Sequence, residues 1–117
     1  MAQKKRRKHK RIHLIYYLLV FDRTTDHLVG HLVDITPGGL KLMSKDPVES
    51  GKSFEFRMIL PIELDGTNRQ LLFNTKCMWC KKNVYSDFYG AGFEISDIDK
   101  EDIDLIKRLI EDFGYRD

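Results

Sequence analysis

A chain of 117 residues, 42% hydrophobic and 32% charged, has room for one domain with a packed core. Those values exclude wholesale disorder, collagen-like repeats and membrane-spanning architectures, and the length excludes most multidomain enzymes. The net charge of +2 hides an asymmetry: residues 1–11 hold seven of the 20 basic residues and no acid, leaving 13 basic against 18 acidic residues in the body. A basic arm on an acidic body points to an anionic partner. Residues 1–11 are therefore read as a flexible arm and 12–117 as one folded unit.

The run Leu14–Phe21 that follows superficially resembles the apolar part of a secretory signal. It is only eight residues long, rich in aromatics, and runs into Asp22-Arg23-Thr24-Thr25-Asp26 where small residues should mark a cleavage site. A membrane span would need about 20 apolar residues. The expectation is a cytoplasmic protein without membrane insertion, with Cys77 and Cys80 as reduced thiols. Alanine occurs only at Ala2 and Ala91, while β-branched and aromatic residues dominate the apolar stretches, which suits strands. Strands are predicted at about 13–22, 28–35, 39–44, 53–60, 70–81 and 89–95. Turn chemistry separates them at 23–27, Thr36-Pro37-Gly38, Asp46-Pro47 with Gly51, Asp65-Gly66, and 83–87. Phe54, Phe56, Met58 and Leu60 alternate with Glu55 and Arg57, giving that strand one buried face.

The period then changes. Ile103, Ile106, Leu109, Ile110 and Phe113 share one side of a helix over about 99–113, with Leu105 widening the stripe. Asp99 suits the N-cap, Asp102 falls at N3, Glu101 and Asp104 complement the dipole, and Gly114 supplies the stop. Six short strands and one amphipathic helix predict a mainly β fold: a six-stranded antiparallel β-barrel with a C-terminal helical cover.

Two segments could bind a ligand. Arg7-Lys8-His9-Lys10-Arg11, extended by Arg6, has an RxxxR spacing, and a guanidinium fork can address a phosphate or the O6/N7 edge of guanine. Alone, such a run is usually a solvated tail or a nonspecific nucleic-acid arm. Asp34-Ile35-Thr36-Pro37-Gly38-Gly39 reads structurally as a type II turn, with Pro37 presetting φ and Gly38 accepting positive φ. Functionally, Asp34 and Thr36 would present a carboxylate and a hydroxyl beside a close-approach glycine, where a flat base could dock.

Together these segments resemble the PilZ family of bacterial cyclic di-GMP receptors, which pairs an N-terminal RxxxR with a downstream (D/N)xSxxG. Arg7 and Arg11 match the first motif; Asp34, Thr36 and Gly39 match the second, with threonine where the family usually has serine. The likeness extends through Gly38-Gly39-Leu40-Lys41-Leu42, Tyr89-Gly90-Ala91-Gly92-Phe93 and the closing helix. It implies a PilZ-like split barrel that binds cyclic di-GMP through Arg7, Arg11, Asp34, Thr36 and Gly39, with Arg6 and Gly38 as further candidates. It also implies a receptor or adaptor, not an enzyme, that conveys messenger level to an unidentified downstream protein. No cofactor beyond the ligand is expected.

Other constellations carry less. Cys77 and Cys80, three apart on a strand, should point to opposite faces, and zinc wants about four ligands, so no metal site is expected. Neither His27 nor His31 has a metal-like spacing to them. Trp79 reads as a core or rim residue rather than a ligand platform. Gly90-Ala91-Gly92 lacks the third glycine and the helix of a dinucleotide fold. The alternatives are a small β-barrel nucleic-acid module using the basic arm, with Tyr16, Tyr17, Phe54 or Phe56 as stacking residues, and a protein-interaction domain of the same fold that binds no nucleotide. Nucleic acid is the less expected partner.

Overall fold

Alternation of apolar and polar residues every second position lets each strand bury one face, and here six such strands close on one another. The computed structural model describes residues 18–61, 66 and 69–113. The strands are β1 (Leu19–Asp22), β2 (Leu28–Thr36), β3 (Gly39–Ser44), β4 (Ser53–Ile59), β5 (Gln70–Lys82) and β6 (Tyr89–Asp97), followed by helix α1 (Lys100–Phe113). They form a closed antiparallel barrel in the order β1-β2-β3-β6-β5-β4, with β4 pairing back to β1. Each described strand thus has a strand neighbour on both sides. The predicted start of the first strand, residues 13–17, lies outside the described residues, as do Tyr16, Tyr17, Asp65 and Gly114.

Inside, Phe56 is fully buried and meets Phe93 at 5.0 Å, Phe54 at 5.5 Å and Phe73 at 6.1 Å between ring centroids. These aromatics with Val20, Leu42, Met58 and Leu71 make the core, so Phe56 serves burial as its alternation implies. The two barrel ends are closed differently. At one, residues 45–52 fold inward: Val48 N donates to Cys80 Sγ (3.3 Å), Gly51 N to Cys77 O (2.7 Å) and Ser44 Oγ to Asp46 O (2.7 Å). At the other lies α1.

Asp99 takes the predicted capping position, its carbonyl accepting from Asp102 N (3.0 Å) and Ile103 N (3.1 Å). The buried stripe, however, is centred on Asp102, Leu105, Ile106 and Leu109, with Ile103 and Ile110 half-buried at its margins. An acidic residue enters the stripe because Arg69, just before β5, reaches across to it: Arg69 Nη2 donates to Asp102 Oδ1 at 2.9 Å and to Glu101 Oε1 at 3.5 Å. These ion pairs raise the Arg69 pKa, first through the Asp102 hydrogen bond. Asp102 is thus a latch between helix and barrel.

Four register slips interrupt the ladders among the described strands, at Val29 and Val33 of β2, Met78 of β5 and Ser96 of β6, and two of them decide what faces outward near Asp34 and Trp79. On β2 the register against β3 slips between Leu32 and Asp34, making Val33 an extra residue. On β5 the register against β6 slips between Cys77 and Trp79, making Met78 the extra one. The β5 bulge overturns the expectation that the two cysteines diverge. Cys77 pairs with Phe93 and Cys80 with Ala91, both inward residues, so both sulfurs face the interior. Burial pushes the Cys77 thiol pKa up.

Candidate functional site

The bulge at Val33 sets the site. Leu32 and Ile35 both point inward, and the slipped residue between them returns Asp34 and Thr36 together to the outer surface. Without it, a strict alternation from Leu32 would turn Ile35 outward and bury Asp34 and Thr36. Asp34 Oδ1 accepts from Ile35 N at 2.9 Å, which holds the carboxylate against the strand.

Thr36 pairs with Gly39 across a two-residue connection, Pro37-Gly38. This turn is not the expected type II, because Gly38 does not take positive φ; among the described glycines only Gly51 (φ 89°) and Gly66 (φ 84°) do. The threonine hydroxyl shapes the turn instead, accepting from Gly38 N (3.3 Å) and directed at Gly39 O (3.4 Å). Gly38 O in turn accepts from Ile95 N of β6 (2.9 Å). Gly39 is the close-approach glycine: a Cβ there would sit 2.6 Å from Phe93 O, whereas one at Gly38 would meet nothing within 4 Å.

Beside this turn the outer face of β3, β6 and β5 forms a shallow depression of about 400 Å³ that includes Thr36, Gly39, Lys41, Trp79, Gly92 and Glu94. Trp79 is 40% exposed, so it belongs to the outer wall and not to the core. The β5 bulge turns it outward next to Met78, and its indole lies flat across Gly92: a Cβ at Gly92 would fall within 2.5 Å of Trp79 Cε2. Lys41, which pairs with Asp34 across β2 and β3, holds its ammonium 5.8 Å from the indole centroid. The result is a flat aromatic surface, a cation and a carboxylate on one wall.

Asp34, Thr36, Gly38 and Gly39 thus lie together where β2 turns into β3. Arg6, Arg7 and Arg11 lie outside the described residues. Trp79, Lys41 and Gly92 were missed by sequence reasoning. The signal for them was Gly90-Ala91-Gly92, a run of small residues on one strand facing the chain's single tryptophan on the next. Among the described residues no group of three or more His, Cys, Asp or Glu side chains is placed to hold a metal, and no described helix is long and apolar enough to cross a membrane.

Comparison with known proteins agrees with the barrel. The PilZ domain model matches residues 5–112, so the chain belongs to the PilZ domain family. Its fold is similar to the inhibitor of motility MotI/DgrA of Bacillus subtilis (TM-score 0.69, 19% identity, 88% of this chain and 51% of that one). It is also similar to the PilZ domain of YcgR from Escherichia coli, solved with c-di-GMP (TM-score 0.62, 10% identity, 84% and 81%), and to MrkH of K. pneumonia in its apo state (TM-score 0.64, 14% identity, 97% and 53%). The chain spans about half the length of the MotI and MrkH chains. A search of curated proteins found no match.

Proposed function

We propose that this chain is a cyclic di-GMP receptor whose ligand seats on the outer wall at Asp34, Thr36 and Gly39, beside Trp79 and Lys41, and is gripped by Arg7 and Arg11 of the basic arm. The observation that carries this reading is the Val33 bulge, which keeps Leu32 and Ile35 in the core and in the same step turns the carboxylate and the hydroxyl of one motif to the same outer face. Guanine N1 and N2 hydrogens are donors, and Asp34 is the matching acceptor. Trp79 offers a π-face for a purine, and Lys41 partly balances a phosphate.

Chain connectivity supports a role for the arm. Leu18 O accepts from Leu32 N (2.8 Å), only two residues from Asp34. Arg11 is seven residues before Leu18, a tether of at most about 25 Å. Arg11, Arg7 and Arg6 are thus within chain reach of the wall, and residues 1–11 act as the closing segment over the barrel. No bond is made or broken; ligand binding reshapes one face, which a downstream protein reads in the cytoplasm.

Calorimetric titration tests this. Arg11→Ala should lose about 1–3 kcal/mol of cyclic di-GMP binding while leaving circular dichroism unchanged. An arm that instead bound polynucleotide through about six phosphates would show a log affinity against log salt slope near −4 to −5. Undiminished cyclic di-GMP affinity in a folded Arg11→Ala protein would remove the arm from the site.

A further inference from the structure

At the barrel end opposite α1 and the Asp34–Gly39 wall, a projection and a recess lie side by side. The projection is the β5–β6 connection. Asn83 N donates to Phe88 O (2.8 Å), Tyr85 N to Asn83 Oδ1 (2.8 Å), Phe88 N to Ser86 Oγ (3.2 Å) and Lys82 Nζ to Ser86 O (3.0 Å). Four internal bonds fix this short loop, yet it holds Val84 84% and Tyr85 94% exposed. A pre-formed loop that presents two adjacent apolar side chains to water has the character of a docking element.

The recess, about 540 Å³, lies where residues 45–52 cross the start of β2. Leu28, Phe54 and Phe88 supply apolar lining, and Asp46 and Glu49 stand with Lys45 and Lys52 around it. Leu28 is 55% exposed, so the recess offers apolar surface to a visitor. Its volume falls within the range of pockets that bury whole small ligands, ample for a tyrosine and a valine side chain.

We propose that two copies of this chain associate about a two-fold axis, each seating Val84 and Tyr85 in the recess of the other. Phe88 belongs to the loop and lines the recess, so knob and hole adjoin on one surface and a single rotation exchanges both at once. The charges are self-complementary in the same sense. Lys81 and Lys82 at the base of the loop meet Asp46 and Glu49 of the opposite recess, while Asp87 meets Lys45 and Lys52. Tyrosine is a frequent anchor of such interfaces. None of Asp34, Thr36, Gly39, Lys41 or Trp79 lines the recess, so association does not depend on the ligand reading.

Sedimentation equilibrium on the full chain tests the proposal. Wild type should dimerise in the micromolar range, and the V84S/Y85S variant should raise the dimer Kd by at least about 100-fold. Leu28→Glu, which spoils the recess at an exposed position, should do the same. Mixing the two variants with different labels should restore a heterodimer through the one seat left intact, and Asp34→Ala should leave dimerisation unchanged. A wild-type chain that stays monomeric at its highest soluble concentration would overturn the proposal. So would a dimer that survives V84S/Y85S, or a mixture of variants that fails to associate. If another segment of the same chain fills the recess, Leu28→Glu would lower the melting temperature of a wild-type monomer without a mass change, and the proposal falls.

Discussion

Replacing Gly92 by alanine puts a methyl group where the Trp79 indole lies, within 2.5 Å of Cε2, and the strand backbone behind it cannot withdraw because Gly92 pairs with Lys41 on one side and Trp79 on the other. The indole must therefore leave. At 40% exposure it covers about 150 Å² of a side chain of about 250 Å², worth up to about 4 kcal/mol at about 25 cal/mol/Å². A realistic unfolded chain lowers that to about 2–3 kcal/mol, and alanine returns about 0.4–1 kcal/mol by restricting the unfolded state. A net loss of about 1–2 kcal/mol is expected. Since Trp79 is the chain's single tryptophan, its emission should shift to the red in the native state, and the urea midpoint should fall in parallel. Gly38→Ala is the matched control: its Cβ meets nothing within 4 Å and its φ is not positive, so it should be neutral or slightly stabilising. Wild-type emission and midpoint in Gly92→Ala would refute the stacked indole.

Phe56→Ala should cost about 3–5 kcal/mol in a urea titration, because the ring is fully buried among three other phenylalanines. Partial burial lowers the His31 pKa below its ordinary 6.5. The native state therefore resists protonation, and the stability this group permits is complete above pH 6.5 and declines as pH falls from there through the folded-state value. Denaturation midpoints at pH 8 and pH 5 should differ less in His31→Gln than in wild type; an equal difference would assign the dependence elsewhere. Cys77, buried with a raised pKa, should react with a thiol reagent only on unfolding, as mass-spectrometric labelling across a urea series would show. Modification at native-state rates would contradict its inward placement.

Six strands and a helix were legible because period-2 or period-3.6 stretches dominate each one, and turn residues marked the breaks. The motif at Asp34–Gly39 was legible because residues of one turn are neighbours in sequence. The outward Trp79 and the shared face of Cys77 and Cys80 were not legible because of a single-residue slip of register. A bulge adds one residue without altering composition, so nothing at Met78 signals that Cys77 and Cys80 share a face or that Trp79 turns outward. The turn at Pro37-Gly38 was misassigned because Pro-Gly fits type II locally, whereas the Thr36 hydroxyl and the bond from Ile95 to Gly38 decide its shape. The helix stripe was misjudged by about one residue because Asp102 counts as polar until Arg69, 33 positions away in sequence, is brought beside it.

We propose that a purine messenger sits on the carboxylate-bearing wall made by the β2 bulge. Isothermal titration of wild type and Asp34→Ala with cyclic di-GMP and cyclic di-AMP tests it most directly. The guanine ligand should bind wild type saturably and about 1.5–3 kcal/mol more weakly in Asp34→Ala, with discrimination against the adenine ligand largely erased. No heat from folded wild type at millimolar cyclic di-GMP, or unchanged discrimination in Asp34→Ala, would contradict it.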